Sequence, residues 1–345
     1  MRNILPLATF GCALTALIGI VVGGVIMIGY GVSGFFDKNA SPDTPKAIQA
    51  QPVVVPAAPK ETRTLLEARS SFKTVLIANN FERGADAPPP PAEAKIVRYR
   101  AGELVAYLSK PRGEERRPAV VFVHGGFGGI DRKTWDQAKL FHDAGCVVMC
   151  PAFREENDNA GLFEMFYGEV DDLLAAVDFV GKQPSVDANR IYVVGAGTGG
   201  TLALLAATTG TDKVRAFFAI GGHTDIDVQL RETNIKEFDG SPPFDPNRKQ
   251  ETYLRSPTNF VKSIQRPAFY FQAQVVADEA REAKEMQRRA FEVSAPFHAY
   301  IVPKANAFNF LPPTLGVISR KIERDTGVIQ DIHFDFEEVV RPFQK

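Results

Sequence analysis

The sequence predicts an α/β protein, a mostly parallel sheet covered by helices on both faces, preceded by an apolar membrane span and a proline-rich spacer. Three observations predict it. From residue 95 onward, short apolar runs such as PAVVFVHGG (118–126) and RIYVVG (190–195) alternate with longer segments of helical period. The runs are apolar at consecutive positions rather than at every second one, as strands buried on both faces require. The first 36 residues differ in kind, with no charge between Arg2 and Asp37.

Composition narrows the class. Of 345 residues, 45% are hydrophobic and 23% charged, enough for a sizeable core. The net charge of -1 and the absence of a long basic run argue against a nucleic-acid partner held by phosphate neutralisation. Cys146 and Cys150 lie four residues apart in GCVVMCP, which reads as a buried strand. Four strand residues span roughly 13 Å, beyond disulfide reach, so both are expected as small core residues. No histidine or further cysteine stands at ligand spacing, and no metal is expected.

Taken in order, Leu5 to Tyr30 is almost wholly apolar, long enough to span a hydrocarbon core of about 30 Å, and longer than the h-region of a cleaved signal. Residues 1–36 are therefore expected to be an uncleaved transmembrane anchor. Arg2 favours an N-inside orientation, which places the remainder outside the cytoplasm, although Lys38 and Lys46 follow closely. Residues 37–92 read as a proline-rich linker. A short amphipathic helix is expected within 61–80, with Leu65, Leu66, Phe72 and Leu76 toward one side, and APPPPA (87–92) ends it.

The domain is expected over 93–345. KIVRYRAGELVAYLS opens it as an antiparallel pair turning near Gly102. The strand at 118–126 follows, then a helix through Trp135 and Leu140, the CVVMCP strand, and an amphipathic helix at 166–183. Next come RIYVVG, a helix from Gly199 and a strand at 214–222. A polar segment (223–260) precedes PAFYFQAQ, a charged helix at 277–290, the strand FHAYIVP and a last helix near 311–325.

The stretch RIYVVGAGTGGTLALLAA (190–207) carries the chemistry question. Gly195, Gly197 and Gly200 match the dinucleotide fingerprint G-x-G-x-x-G, which needs an acid about 20 residues on to hold the ribose. That region is Ile220, Gly221 and Gly222, and the first acid, Asp225, lies beyond the strand. No nucleotide or other cofactor is therefore expected. The same glycines suit a sharp strand–turn–helix elbow, and the earlier HGGFGG (124–129) has the place and composition of a loop supplying oxyanion-hole amides.

Together, VFVHGGFGG, the segment from FYGEVDD to TLALLAA, LRSPTNFVKSIQRPAFYFQ and IVPKANAFNFLPPT resemble the α/β-hydrolases of the prolyl-oligopeptidase-like and dienelactone-hydrolase-like group. The likeness covers most of 95–325 and places a cap segment at about 223–260. It implies a Ser–His–acid triad. The nucleophile position falls on Gly197, the histidine position on Ala307 and the acid position on Val276, so the resemblance implies no catalytic residue. Gly125, Gly126 and Thr198 are expected to form an oxyanion-hole-like set, and ENDNAGLFEMF (156–166) and the cap to shape its mouth. His223, Asp225 and Asp278 are the candidate pocket residues. The expectation is a membrane-bound hydrolase homologue that binds or scaffolds, its partner a small carboxylate or ester or a protein. The first rival is an esterase or peptidase using Thr198 with His223 as base, and the remote second is dinucleotide binding at Gly195–Gly200.

Overall fold

A computed structural model of the chain describes residues 64–77, 85–232, 242–306, 309–328 and 332–344. The expected anchor lies outside these, as does Ala307, and no described helix is long and apolar enough to cross a membrane.

Eight strands form one sheet in the order β1-β2-β4-β3-β5-β6-β7-β8. β1 (Ala94–Tyr99) and β2 (Leu104–Ser109) make the predicted antiparallel pair, and β2 joins β4 (Val147–Pro151) antiparallel. All remaining neighbours run parallel: β3 (Arg117–Val123), β5 (Val186–Ala196), β6 (Ala216–Ile220), β7 (Ala268–Ala273) and β8 (Phe297–Val302). Unbroken apolar runs follow from this arrangement. Phe217 and Phe218 are adjacent on β6, yet they join the core clusters on opposite faces of the sheet.

The helices are α1 (Leu65–Arg69), α2 (Arg132–Asp143), α3 (Gly168–Gly181), α4 (Thr198–Ala207), α5 (Ile226–Glu232), α6 (Lys249–Tyr253), α7 (Ala277–Glu292), α8 (Leu311–Arg324) and α9 (Phe336–Val340). On α3 the buried Val170, Leu173, Val177 and Val180 repeat at helical spacing and cover one sheet face. Trp135 and Phe141 of α2 belong to the other face. The parallel strands all deliver their C-terminal ends, and the loops that follow, to one edge of the sheet, where α/β folds bind ligands.

Two expectations change. The helix expected within 61–80 lasts only five residues; Thr64 caps it through a reciprocal bond with Glu67. Residues 71–77 are extended. They belong to the domain rather than to a linker: Leu65 is fully buried, its N–H donates to Thr208 O (3.1 Å), and Leu76 bridges to Phe244. α9 was not expected. It follows Phe334, whose ring packs edge-on against Phe218, Phe269 and Phe271.

Candidate functional site

Gly197 sits between β5 and α4 with φ 56° and ψ -123°, a backbone that L side chains rarely adopt. Its N–H donates to Ile220 O (2.8 Å), and its carbonyl accepts from Gly200 N–H (2.8 Å), so the elbow is pinned on both sides. The surrounding glycines are there for space. A Cβ on Gly195 would stand 2.0 Å from Gly199 O, one on Gly199 2.3 Å from Val123 O, and one on Gly200 2.2 Å from Gly221 O. Those three contacts are with backbone, which cannot give way. Gly197 differs, since a Cβ there meets only Gly125 Cα at 3.8 Å. Crowding accounts for three letters of the dinucleotide-like string GAGTGG and leaves Gly197 unexplained by packing.

The glycine-rich loop after β3 approaches this elbow closely, with a Cβ on Gly125 falling 3.1 Å from Ala196 O. Between them lies a cleft of ≈ 430 Å³ whose lining includes His124, Gly125, Lys133, Gln137, Gly197 and Leu311. α4 starts next to it, after Gly197, without a side-chain cap, and Gly200 N–H is taken by Gly197 O. Gly126, with φ 78°, receives the Thr198 hydroxyl on its carbonyl at 3.0 Å.

The wall behind the loop is built from buried polar groups. His124 Nε2 meets Glu156 Oε2 at 3.1 Å. Burial pushes this imidazole down, but Glu156 outweighs it and holds His124 above its ordinary pKa. Asn157 accepts Ile130 N–H (2.7 Å) and donates to Ile130 O (3.3 Å), anchoring the end of the glycine loop. Phe127, at its centre, packs against Phe163 (4.7 Å between ring centroids) and Phe166 (5.7 Å). Segment 156–166, expected to shape the mouth of the site, touches the glycine loop through these contacts and is not among the residues that line the cleft. The segment carries positive φ at Asn157, Asp158, Met165 and Phe166.

The candidate pocket residues separate. His223 Nδ1 lies 3.0 Å from Glu282 Oε1, and its Nε2 lies 3.7 Å from Glu279 Oε1. Burial lowers its pKa, while Glu282 and Glu279 more than reverse this and leave it raised. Asp225 is instead a helix cap, accepting from Asp227 N–H (3.1 Å) and Val228 N–H (3.2 Å) of α5. Asp278 is a correction, for its exposed side chain pairs with Arg281 (3.1 Å) and faces solvent. A carboxylate in the first turn of a helix gains from the helix dipole and needs no pocket. Val276 is the residue preceding α7.

Glu282 was missed, and Glu279, which the sequence places near the acid position, was not among the candidate pocket residues. The Glu279 carboxylate, raised by burial, receives Gln272 Nε2 and lies 3.7 Å from where a Cβ on Gly221 would stand, beside Gly197. Glu282 Oε2 accepts both Thr224 N–H (2.9 Å) and Asp225 N–H (3.1 Å). The signal was available: Glu282 stands four residues before Met286 and eight before Ala290, on the buried stripe of α7. The Thr198 hydroxyl and the His223 ring are each engaged elsewhere, and no contact joins them among the described residues.

The BD-FAE family model matches residues 106–275, from β2 to just past β7. The uncharacterized peptidase YtmA of Bacillus subtilis is 23% identical over 166 residues, 46% of this chain and 63% of that protein. Dipeptidyl-peptidase 5 of Porphyromonas gingivalis is 25% identical over 184 residues, 48% of this chain and 27% of its own length. This chain therefore spans less than two thirds of either relative. Among solved structures, the acylaminoacyl peptidase of Pyrococcus horikoshii superposes with a TM-score of 0.60 at 18% identity, over 72% of this chain and 44% of that one. An esterase of Pyrobaculum calidifontis gives 0.51 at 21%, over 67% and 84%. At such identities the structural likeness establishes the fold. The sheet order, the elbow and its facing glycine loop agree with it: the chain has the α/β-hydrolase fold and is similar to members of its prolyl-oligopeptidase-like group.

Proposed function

We propose that this chain is a membrane-anchored hydrolase homologue that binds an acyl carbonyl or carboxylate without forming an acyl-enzyme. One observation carries the reading. The elbow keeps its strained backbone and its facing glycine loop, and the residue at its apex, Gly197, has room for a side chain but none to attack with. Val276 at the acid position and Ala307 at the histidine position support it from the sequence. The named relatives are peptidases and the structural neighbours include an esterase, which puts acyl compounds first among ligand classes. The uncapped α4 amides, the glycine loop and Lys133 favour the oxygen end of such a ligand. The apolar run from Leu5 to Tyr30 supports a single-pass anchor, and Arg2 an N-inside orientation with the domain outside the cytoplasm.

The test is turnover of 4-nitrophenyl butyrate and labelling by a fluorophosphonate on the detergent-solubilised full chain. The expected result is a rate at the buffer background and no label. Gly197→Ser is expected to stay near background as well, because a serine without a base is not activated. Turnover that disappears in Thr198→Ala would replace this reading with a threonine hydrolase.

A further inference from the structure

We propose that residues 64–77 act as a built-in effector of the cleft, their docking transmitted through Arg255 to the turn that supports the glycine-rich loop. The inference rests on the cleft being the ligand site.

Arg255 and its partner Glu251 are both fully buried. Every nitrogen of the guanidinium is engaged. Nε donates to Glu164 O (3.2 Å) and Met165 O (2.8 Å); Nη1 donates to Glu251 O (2.9 Å) and Oε2 (2.7 Å); Nη2 donates to Glu164 O (3.0 Å) and Thr74 Oγ1 (2.8 Å). The rings of Phe244 and Tyr167 lie 4.0 Å and 5.0 Å from its central carbon. One side chain thus joins three segments remote in sequence.

On the near side is the strap. Thr74 Oγ1 donates to Glu251 Oε2 (2.8 Å), Val75 N–H donates to Glu251 Oε1 (3.1 Å), Ile77 N–H donates to Pro243 O (2.7 Å), and Tyr167 donates its hydroxyl to Phe72 O (2.8 Å). On the far side, the carbonyls held by Arg255 open the turn where Met165 (φ 48°) and Phe166 (φ 68°) are strained. Phe163 and Phe166 then hold Phe127 at the centre of the loop that faces Gly197.

The strap is the weak member of this series. No residue from 71 to 77 is fully buried, and apart from its clasp contacts this part makes one isolated β-bridge, so it opens before the sheet and before α1, where Leu65 is fully buried. Its departure strips partners from a buried carboxylate and a buried guanidinium, a loss that the turn at 164–166 has to absorb. By reciprocity, a ligand that orders the glycine loop tightens the strap.

Hydrogen–deuterium exchange on the full chain tests this, with 4-phenylbutyrate as the probe for calorimetric binding. Thr74→Val deletes two clasp contacts and Tyr167→Phe one, each at nearly constant shape. Both are expected to speed exchange at 163–167 and 126–130 as well as at 75–77, and to weaken 4-phenylbutyrate about fivefold. Lys73→Ala, on the exposed side of the strap, is expected to change neither. Exchange that rises at 75–77 alone, with unchanged affinity, overturns the proposal. Absence of 4-phenylbutyrate binding to the unsubstituted chain counts against the ligand reading only, and exchange at 126–130 then decides the coupling by itself.

Discussion

The ends of β5 and β7 face the same edge of the sheet, and they are built differently. At the end of β5 the backbone is packed to the limit: Gly195, Gly199 and Gly200 each leave less than 2.5 Å for an added carbon. After β7, Val276 precedes α7, and two carboxylates of that helix, the half-buried Glu279 and the buried Glu282, turn toward His223. The elbow is held by main-chain crowding, so any change there disturbs three elements at once. The acids of α7 act only through their side chains, and the contrast with main-chain crowding is sharpest at Gly197, where an added Cβ meets only Gly125 Cα at 3.8 Å.

The sharpest way to break this comparison is to add one carbon at neighbouring positions of the elbow. Gly199→Ala drives a Cβ into Val123 O, His124 O and Val123 C, at 2.3, 2.5 and 2.8 Å. The expected cost is about 4 kcal/mol or more, enough to prevent folding at ordinary temperature. Gly197→Ala meets only Gly125 Cα, and its cost is the strain of a non-glycine residue at φ 56°, about 2 kcal/mol. Urea unfolding of both variants decides it. Equal costs would mean that position 197 is as crowded as its neighbours, and the open site at the apex would be lost as an idea.

The next effect belongs to the wall behind the loop. The buried Glu169 carboxylate accepts Glu164 N–H (2.7 Å) and Tyr167 N–H (3.1 Å), tying the strained turn to the start of α3. Burial pushes its pKa up to about 7, against the pull of Arg154. The folded value lies above the unfolded one, so the protonated form stabilises the fold. That contribution is complete below about pH 4.5 and is lost as pH rises toward 7, roughly 3 kcal/mol in all. Glu169→Gln is expected to flatten this part of the stability profile. A profile equally steep in both proteins would assign the slope to another group.

How much of this was legible follows from the same division. The parallel sheet could be read because strands buried on both faces show unbroken apolar runs, and the elbow because glycine alone satisfies its contacts. The open space at Gly197 was not legible, since its neighbours carry the same letter and only the structure separates a crowded glycine from an uncrowded one. Nor was the strap. Residues 71–77 alternate between exposed and half-buried positions, a pattern shared by linkers, and their partners Glu251 and Arg255 lie about 180 residues away. Arg255 reads in sequence as one more surface cation, and only three converging segments make it a core residue. Asp278 and Glu282 fail for a related reason: period locates the buried stripe of α7, and proximity in sequence to the strand end does not.

That last pair gives the finest test of the comparison, because the two acids are four residues apart on one helix. Glu282→Ala removes the acceptor for two backbone amides and the partner of His223 in a buried setting, and the expected cost is about 2 kcal/mol. Its pH dependence has a definite sign. The pKa of His223 is raised in the fold, by its carboxylate partners working against burial, so the pair's stabilisation is full below the ordinary histidine pKa and fades as pH rises through the raised value. The deficit of Glu282→Ala is therefore larger in mild acid than in mild alkali. Asp278→Ala breaks an exposed pair with Arg281 and is expected to stay within about 0.5 kcal/mol at any pH. Thermal unfolding of the two variants across this range compares them directly. A larger cost at Asp278 would mean that its carboxylate is held by more of the fold than Arg281, and the period of α7 would no longer separate the two acids.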